Sequence, residues 1–143
     1  MKGNIWSEAH RIKGIVVIPT NGCVKNNGSA VMGRGLARQA VHRLPDVEKL
    51  LGKALQEKGN HVFLLSSPMW GKVITFPVKS NWWEKAELII IERSAKELAD
   101  LHIKESILMS YVGCGNGRLD WKNVKPIIDK YIPNVIIVDW KDK

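Results

Sequence analysis

Five short apolar runs recur along the chain, and they constrain its fold more than any other feature of the sequence. They cover residues 14–18, 61–65, 72–78, 106–112 and 135–140. Most of these runs do not alternate apolar with polar side chains, which is typical of strands covered on both faces in a mostly parallel sheet. The first run stops at Pro19, where we expect the strand to end.

Helical patterns occupy most of the sequence between these runs. We predict helices over residues 35–44, 46–58, 84–102 and 121–131, with Asp46 and Asp120 as N-terminal caps. Strands that alternate with helices predict an α/β layered fold. Because 143 residues is the length of one ordinary domain, we expect a single domain over residues 1–143.

The charge of the chain limits its partners. It has 22 Lys and Arg against 14 Asp and Glu, and this net charge of +8 favours nucleotides, phosphates or nucleic acid. No apolar run approaches ~18 residues, so we expect no membrane partner. The N-terminus has no signal-peptide pattern, and neither the two cysteines nor the four histidines have metal-ligand spacing. We therefore expect a cytoplasmic protein without metal or cofactor, and we expect a monomer.

Three segments that follow predicted strands hold the residues suited to binding chemistry. They cover residues 20–35, 78–83 and 113–121. Because ligands of open α/β sheets bind beyond the carboxyl ends of the strands, we expect these segments to converge on one cleft.

Two of these segments are rich in glycine. Gly113, Gly115 and Gly117 lack a Cβ at every second position, which lets backbone N–H groups turn towards a phosphate, and Gly33 and Gly35 open a helix in a similar way. Each loop alone fits a simple tight turn equally well. Two such loops in one small basic domain favour a diphosphate held between them. Neither GxGxxG nor GxxxxGK[ST] is present, which argues against a dinucleotide fingerprint and a P-loop.

Five segments of the chain match the motifs of a known family and come in the family's order. They are Gly3-Asn4-Ile5, Thr20-Asn21-Gly22-Cys23, AVMGRGLA at residues 30–37, Val78-Lys79, and GCGNGRLDW at residues 113–121. In these motifs the chain resembles the macro domains, which bind ADP-ribose. The resemblance is strongest to the branch that contains terminal ADP-ribose protein glycohydrolase and the antitoxin that removes ADP-ribose from DNA. It implies a three-layer α/β macro-domain fold, in which a mixed, mostly parallel sheet lies between helices.

The resemblance also implies roles for individual residues. Lys79 occupies the position of the lysine that carries catalysis in this branch, and Asn21 would orient the distal ribose, whose C1″ carries the target group. A desolvated lysine near other cations can titrate low enough to act as a base or nucleophile, although a lysine after a strand is usually a solvated charge. The implied ADP-ribose contacts are Asn4, Ile5, Asn21, Ala30, Val31, Met32, Gly33, Gly35, Gly113, Cys114, Gly115, Asn116, Gly117 and Arg118.

Two positions depart from the family pattern. Most macro domains have an aspartate that binds the adenine amino group where this chain has Asn4, whose oxygen can accept the same bond without charge. The protein-deglycosylating relative has a catalytic aspartate at the position of Gly117, whereas the DNA-directed antitoxin has glycine there and keeps the lysine. The chain is therefore nearer to the antitoxin pattern. Asp120, the nearest carboxylate, is expected to cap a helix instead.

We therefore expect the chain to bind ADP-ribose and to hydrolyse an ADP-ribosyl linkage on DNA or protein through Lys79. The alternatives are a non-catalytic reader of ADP-ribose, a phosphatase of ADP-ribose 1″-phosphate, and a nucleic-acid-binding module that uses the basic charge with Trp82 and Trp83. Either tryptophan can stack on a base or cover the cleft, or else pack beneath the next helix. Cys23 and Cys114 are expected to pack within loops rather than act as nucleophiles.

Overall fold

Five strands form one sheet in the computed structural model, which describes residues 3–139. The sheet has the order β2-β3-β1-β4-β5, with β2 antiparallel to β3 and every other neighbouring pair parallel. The mixed, mostly parallel sheet expected from the sequence is thereby confirmed. The strands are β1 (Ile15–Thr20), β2 (Phe63–Ser67), β3 (Gly71–Pro77), β4 (Ile107–Met109) and β5 (Ile136–Ile137).

Helices cover both faces of this sheet. On one face α1, α2 and α3 pack in a core with Val16 and Ile18 of β1, and on the other α4 and α5 pack with Ile15 and Val17. Neighbouring side chains of a strand point to opposite faces, so a strand between two helix layers is apolar at every position. This three-layer arrangement confirms the predicted fold class. The helices are α1 (Ile5–Ile12), α2 (Gly35–Arg43), α3 (Val47–Lys58), α4 (Leu88–Asp100) and α5 (Trp121–Tyr131).

The prediction of a helix over residues 84–102 is wrong at both ends, because α4 spans only Leu88–Asp100. Backbone hydrogen bonds to distant loops hold the preceding segment out of the helix. The N–H of Ala86 donates to the carbonyl of Gly117 (3.0 Å), and that of Glu87 donates to the carbonyl of Val78 (2.9 Å). Segment 84–87 therefore joins Val78 and Gly117, which are 39 residues apart in the sequence.

Other boundaries differ less. The N-terminal helix α1 was not predicted, and β1 continues past Pro19 to Thr20. Asp120 caps α5 as predicted, since its carboxylate accepts the N–H of Lys122 at 3.2 Å. The cap predicted for Asp46 is wrong in its chemistry, because this residue has φ +68° and its side chain makes no capping bond.

The predicted strands at 106–112 and 135–140 are longer than β4 and β5, and the last residue of the latter run, Trp140, lies outside the described residues. Over residues 3–139, no helix combines the length and the apolar character needed to cross a membrane.

Candidate ADP-ribose site

A cavity of about 340 Å³ lies at the carboxyl ends of β1, β3 and β4. All three segments that the sequence predicted to converge contribute to its wall. The predicted site residues that line it are Asn21, Val31, Met32, Gly33, Gly35, Lys79, Gly113, Gly115, Asn116 and Gly117.

The other five predicted contacts do not line this cavity. Asn4 caps α1, where its side-chain oxygen accepts the N–H groups of two following residues, and Ile5 is fully buried. Ala30 is buried, and its N–H donates to the carbonyl of a residue in α3 at 2.8 Å. Cys114 is half-buried, with its thiol 3.5 Å from the carbonyl of a residue in its own loop. Arg118 lines a neighbouring cleft. Contacts of these residues with a nucleotide stay predictions.

Asn21 follows β1 directly and shapes the first loop with both ends of its carboxamide. Its Nδ2 donates to the carbonyl of Val31 at 3.1 Å, and its Oδ1 accepts the N–H of Cys23 at 2.9 Å. These bonds tie the two sides of the loop together at the cavity wall. Because an amide nitrogen carries two hydrogens and an amide oxygen has two lone pairs, Asn21 still has one donor and one acceptor for a ligand.

Lys79 follows β3 and is held from several directions. Only 9% of its surface is exposed, so the side chain is largely buried. The carbonyl of Lys79 accepts the side-chain N–H of Asn60 at 3.1 Å, and the preceding Val78 donates its N–H to Thr20 at 3.0 Å. Within residues 3–139, Lys79 forms no salt bridge with a carboxylate.

The surroundings of Lys79 favour its uncharged form. Burial lowers the pKa of the Lys79 amine below the ordinary lysine value, and the nearby guanidinium groups of Arg34 and Arg118 lower this pKa further. The carboxylate of Glu84 acts in the opposite direction but is the smallest of these influences. The structure thus supplies the two conditions that the sequence could only suggest, namely a desolvated amine and neighbouring cations.

The third loop is closed tightly on itself. Gly113 has φ +78°, a backbone conformation that glycine adopts without strain, and its carbonyl accepts the N–H of Leu119 at 2.9 Å. A Cβ added to Gly117 would collide with the carbonyl oxygen of Gly113 and lie 2.7 Å from the Cβ of Ala86. A side chain at position 117 therefore requires the backbone of Gly113 and the side chain of Ala86 to shift.

No family model matches the chain. It is similar, however, to curated proteins that are named DNA ADP-ribosyl glycohydrolase. The DNA ADP-ribosyl transferase-DNA ADP-ribosyl glycohydrolase fusion protein of Thermosipho africanus is 27% identical over an alignment of 140 residues. The match covers 80% of this chain and 36% of that protein. The DNA ADP-ribosyl glycohydrolase of Thermus aquaticus is 30% identical over 117 residues, which cover 73% of this chain and 31% of the relative. The chain thus spans about a third of the length of these curated relatives.

Solved structures give the fold a family name. The macrodomain of Mycobacterium tuberculosis DarG matches with a TM-score of 0.70 and 27% identity, over 88% of this chain and 87% of that one. The chain is a macrodomain. It is also similar to Thermosipho africanus DarTG in complex with ADP-ribose, with a TM-score of 0.73 and 22% identity over 88% of this chain and 37% of that chain. The resemblance to macro domains noted in the sequence is confirmed, and these similarities support the part of the expected branch that acts on ADP-ribosylated DNA, represented here by the DarG macrodomains.

A second cleft adjoins the cavity of this macrodomain at Lys79. Its volume is about 360 Å³, and its wall is more polar than that of the cavity. Arg34, Lys79 and Trp82 line both, so the two spaces adjoin at these residues. Trp83 and Arg118 belong to the second cleft alone.

Sequence reasoning gave no individual role to several residues of the macrodomain site. Arg34 lies between the predicted contacts Gly33 and Gly35, and this position was the one feature of the sequence that could have indicated it as a site residue. Glu84 was assigned to a helix, so its place beside Lys79 could not be seen. Ser110 and Tyr111 line the cavity from the end of a predicted strand, where the direction of a side chain has no local signature. Among residues 3–139, no group of three or more His, Cys, Asp or Glu side chains is suited to hold a metal.

Proposed function

We propose that this macrodomain binds ADP-ribose in the cavity and hydrolyses the bond between ADP-ribose and DNA. The curated relatives carry the name of that activity, and the cavity has the donors that such a ligand needs. The observation that carries the proposal is Lys79, a buried lysine without a carboxylate partner in the described chain, at the point where the cavity meets a second cleft.

Two glycine-containing loops of the cavity wall are suited to bind the diphosphate. Gly35 is the first residue of α2, so the N-terminal N–H groups of this helix lie at the cavity wall and favour an anion. Gly113 and Gly115 bring the third loop to the same cavity without side chains in the way. The distal ribose then lies near Asn21, whose remaining donor and acceptor suit two sugar hydroxyl groups.

Lys79 supplies the chemistry in this proposal. Its uncharged amine either attacks C1″ to form an adduct that water then hydrolyses, or takes a proton from the water that attacks C1″. In both routes the acceptor atom of DNA leaves with the electrons of the broken bond and takes up a proton, from the lysine ammonium or from water. Both roles need the amine unprotonated, which burial and the two arginines favour. Asn21 fixes the ribose against the amine, so orientation contributes much of the rate.

Replacement of Lys79 tests this proposal. Lys79→Ala should lower hydrolysis of ADP-ribosylated DNA by ~100-fold or more, the scale of a lost acid–base group. The affinity for free ADP-ribose should change by less than about fivefold, since the amine acts mainly in the transition state. Lys79→Arg should not restore turnover, because a guanidinium keeps its proton. Lys53→Ala, at an exposed lysine of α3, is the matched control.

Three outcomes would redirect the proposal. A fully active Lys79→Ala protein would remove lysine catalysis. A wild type that binds ADP-ribose without turnover would be a reader, an outcome consistent with the missing carboxylate at Gly117. Release of phosphate from ADP-ribose 1″-phosphate, with no action on DNA, would make the protein a phosphatase.

A further inference from the structure

The cleft that adjoins the cavity carries mostly positive charge. Arg34, Lys79 and Arg118 line it, and Glu84 is the one carboxylate among its lining residues in the described chain. That carboxylate is engaged locally, because its Oε1 accepts the N–H of Asn81 at 2.8 Å. The two guanidinium groups therefore make the cleft suited to an anionic partner.

Trp82 and Trp83 line the same cleft, and both side chains have large exposed surfaces. Trp82 is 44% exposed and Trp83 is 60% exposed, and their rings meet edge to face with centroids 5.6 Å apart at 88°. The turn that carries them is fixed by reciprocal bonds, since the N–H of Glu84 also donates to the carbonyl of Asn81 at 3.1 Å. The turn is thus fixed, and both indoles are exposed at the surface rather than packed beneath α4.

We propose that this cleft receives the DNA strand that carries ADP-ribose, with a base beside the modified nucleotide stacked on Trp83. Arg34 and Arg118 then contact the phosphates that flank this base. The inference rests on the proposed function, because it assumes that the acceptor leaves C1″ near Lys79. From there the second cleft is the continuous space outside the cavity.

The pairing of ring and cation favours nucleic acid over a protein acceptor. Proteins that hold single strands combine aromatic rings, on which bases stack, with cations that follow the phosphates. The Asp and Glu side chains of an acidic peptide would bind the arginines but have no ring to stack on an exposed indole. A base that carries ADP-ribose must also leave the duplex stack before its linkage reaches the cavity, which a strand laid across Trp83 would allow.

Kinetics on two substrates test the inference. The first substrate is a single-stranded DNA oligonucleotide with one ADP-ribosylated base, and the second is one ADP-ribosylated nucleoside without flanking phosphates. Trp83→Ala should raise KM for the oligonucleotide about tenfold, as expected for one lost base stack, and Trp83→Phe should restore most of it. KM for the nucleoside and the affinity for free ADP-ribose should stay within twofold, because Trp83 does not line the cavity.

The charge contribution is tested separately. Arg118 has φ +62°, so Arg118→Asn removes the cation with a residue that tolerates this backbone. The slope of log KM against log salt for the oligonucleotide should fall by about 0.7, the value for one phosphate contact on a single strand. Lys53→Asn, at an exposed residue of α3 that lines neither the cavity nor the second cleft, is the charge-matched control and should leave the slope unchanged.

The outcomes separate this inference from the proposed function. If the wild type hydrolyses no ADP-ribosylated DNA, the proposed function fails, and the cleft is judged by its affinity for the unmodified oligonucleotide, which Trp83→Ala should still weaken. If the wild type is active but Trp83→Ala and Arg118→Asn leave the oligonucleotide KM and its salt slope unchanged, the inference is overturned. An equal rise of KM on an ADP-ribosylated peptide would also overturn it, since the cleft would then serve a protein acceptor.

Discussion

Gly33 and Gly117 both line the cavity, yet a methyl group should have opposite effects at the two positions. At Gly117 the added Cβ would collide with the carbonyl of Gly113 and press on Ala86 at 2.7 Å. At Gly33 no heavy atom lies within 4 Å of the added Cβ, and the backbone does not have a positive φ. Gly117→Ala should therefore damage the fold, whereas Gly33→Ala should affect only a ligand in the cavity.

The magnitudes follow from these surroundings. Overpacking at Gly117 should cost about 1–3 kcal/mol of unfolding free energy. In a domain of this size, each kcal/mol corresponds to a fall of about 4 °C in Tm. Gly33→Ala should keep or raise Tm, since removal of a glycine at a compatible backbone restricts the unfolded chain and stabilises by about 0.4–1 kcal/mol. ADP-ribose should bind Gly33→Ala at least about tenfold more weakly, which is about 1.4 kcal/mol.

Thermal unfolding followed by circular dichroism gives Tm, and titration calorimetry gives the Kd for ADP-ribose. The pair is informative because each variant controls for the other. Wild-type affinity in Gly33→Ala would show that ADP-ribose does not occupy the open space beside this loop. An unchanged Tm in Gly117→Ala would refute the argument that packing requires glycine there.

Two more predictions concern charged residues of the site. Hydrolysis of ADP-ribosylated DNA should increase with pH, with a midpoint below the ordinary lysine pKa of about 10.4, because only the uncharged Lys79 amine acts. Arg34→Gln should move this midpoint to higher pH and Glu84→Gln to lower pH. A pH–rate profile that neither variant shifts would show that the titrating group is not Lys79. Asp120→Ala should cost ~1 kcal/mol in denaturant unfolding through the lost cap of α5, with ADP-ribose affinity unchanged; a loss of affinity at full stability would instead make Asp120 a site residue.

The sequence by itself determined the layers of the fold and the order of the site loops. Residues Ile15, Val16, Val17 and Ile18 are all buried, as expected for a strand with two covered faces, where consecutive side chains are mostly apolar. That requirement is local, so the unalternating run correctly predicted a strand covered on both faces. The same holds for the loops, because a polar segment after such a strand lies at its carboxyl end, and Lys79 could be placed there from its position alone.

Tertiary structure alone decided what surrounds Lys79. Arg34, Glu84 and Arg118 come from three separate loops, and their influence on its pKa depends on distances that no local pattern encodes. The predicted start of α4 was wrong for the same reason, since hydrogen bonds from Ala86 and Glu87 to other loops override the helical spacing of the apolar residues. Apolar periodicity reports burial along one element, whereas a site forms where several elements meet. The layers of the fold could therefore be predicted from the sequence, but the charged neighbours that set the chemistry of Lys79 could not.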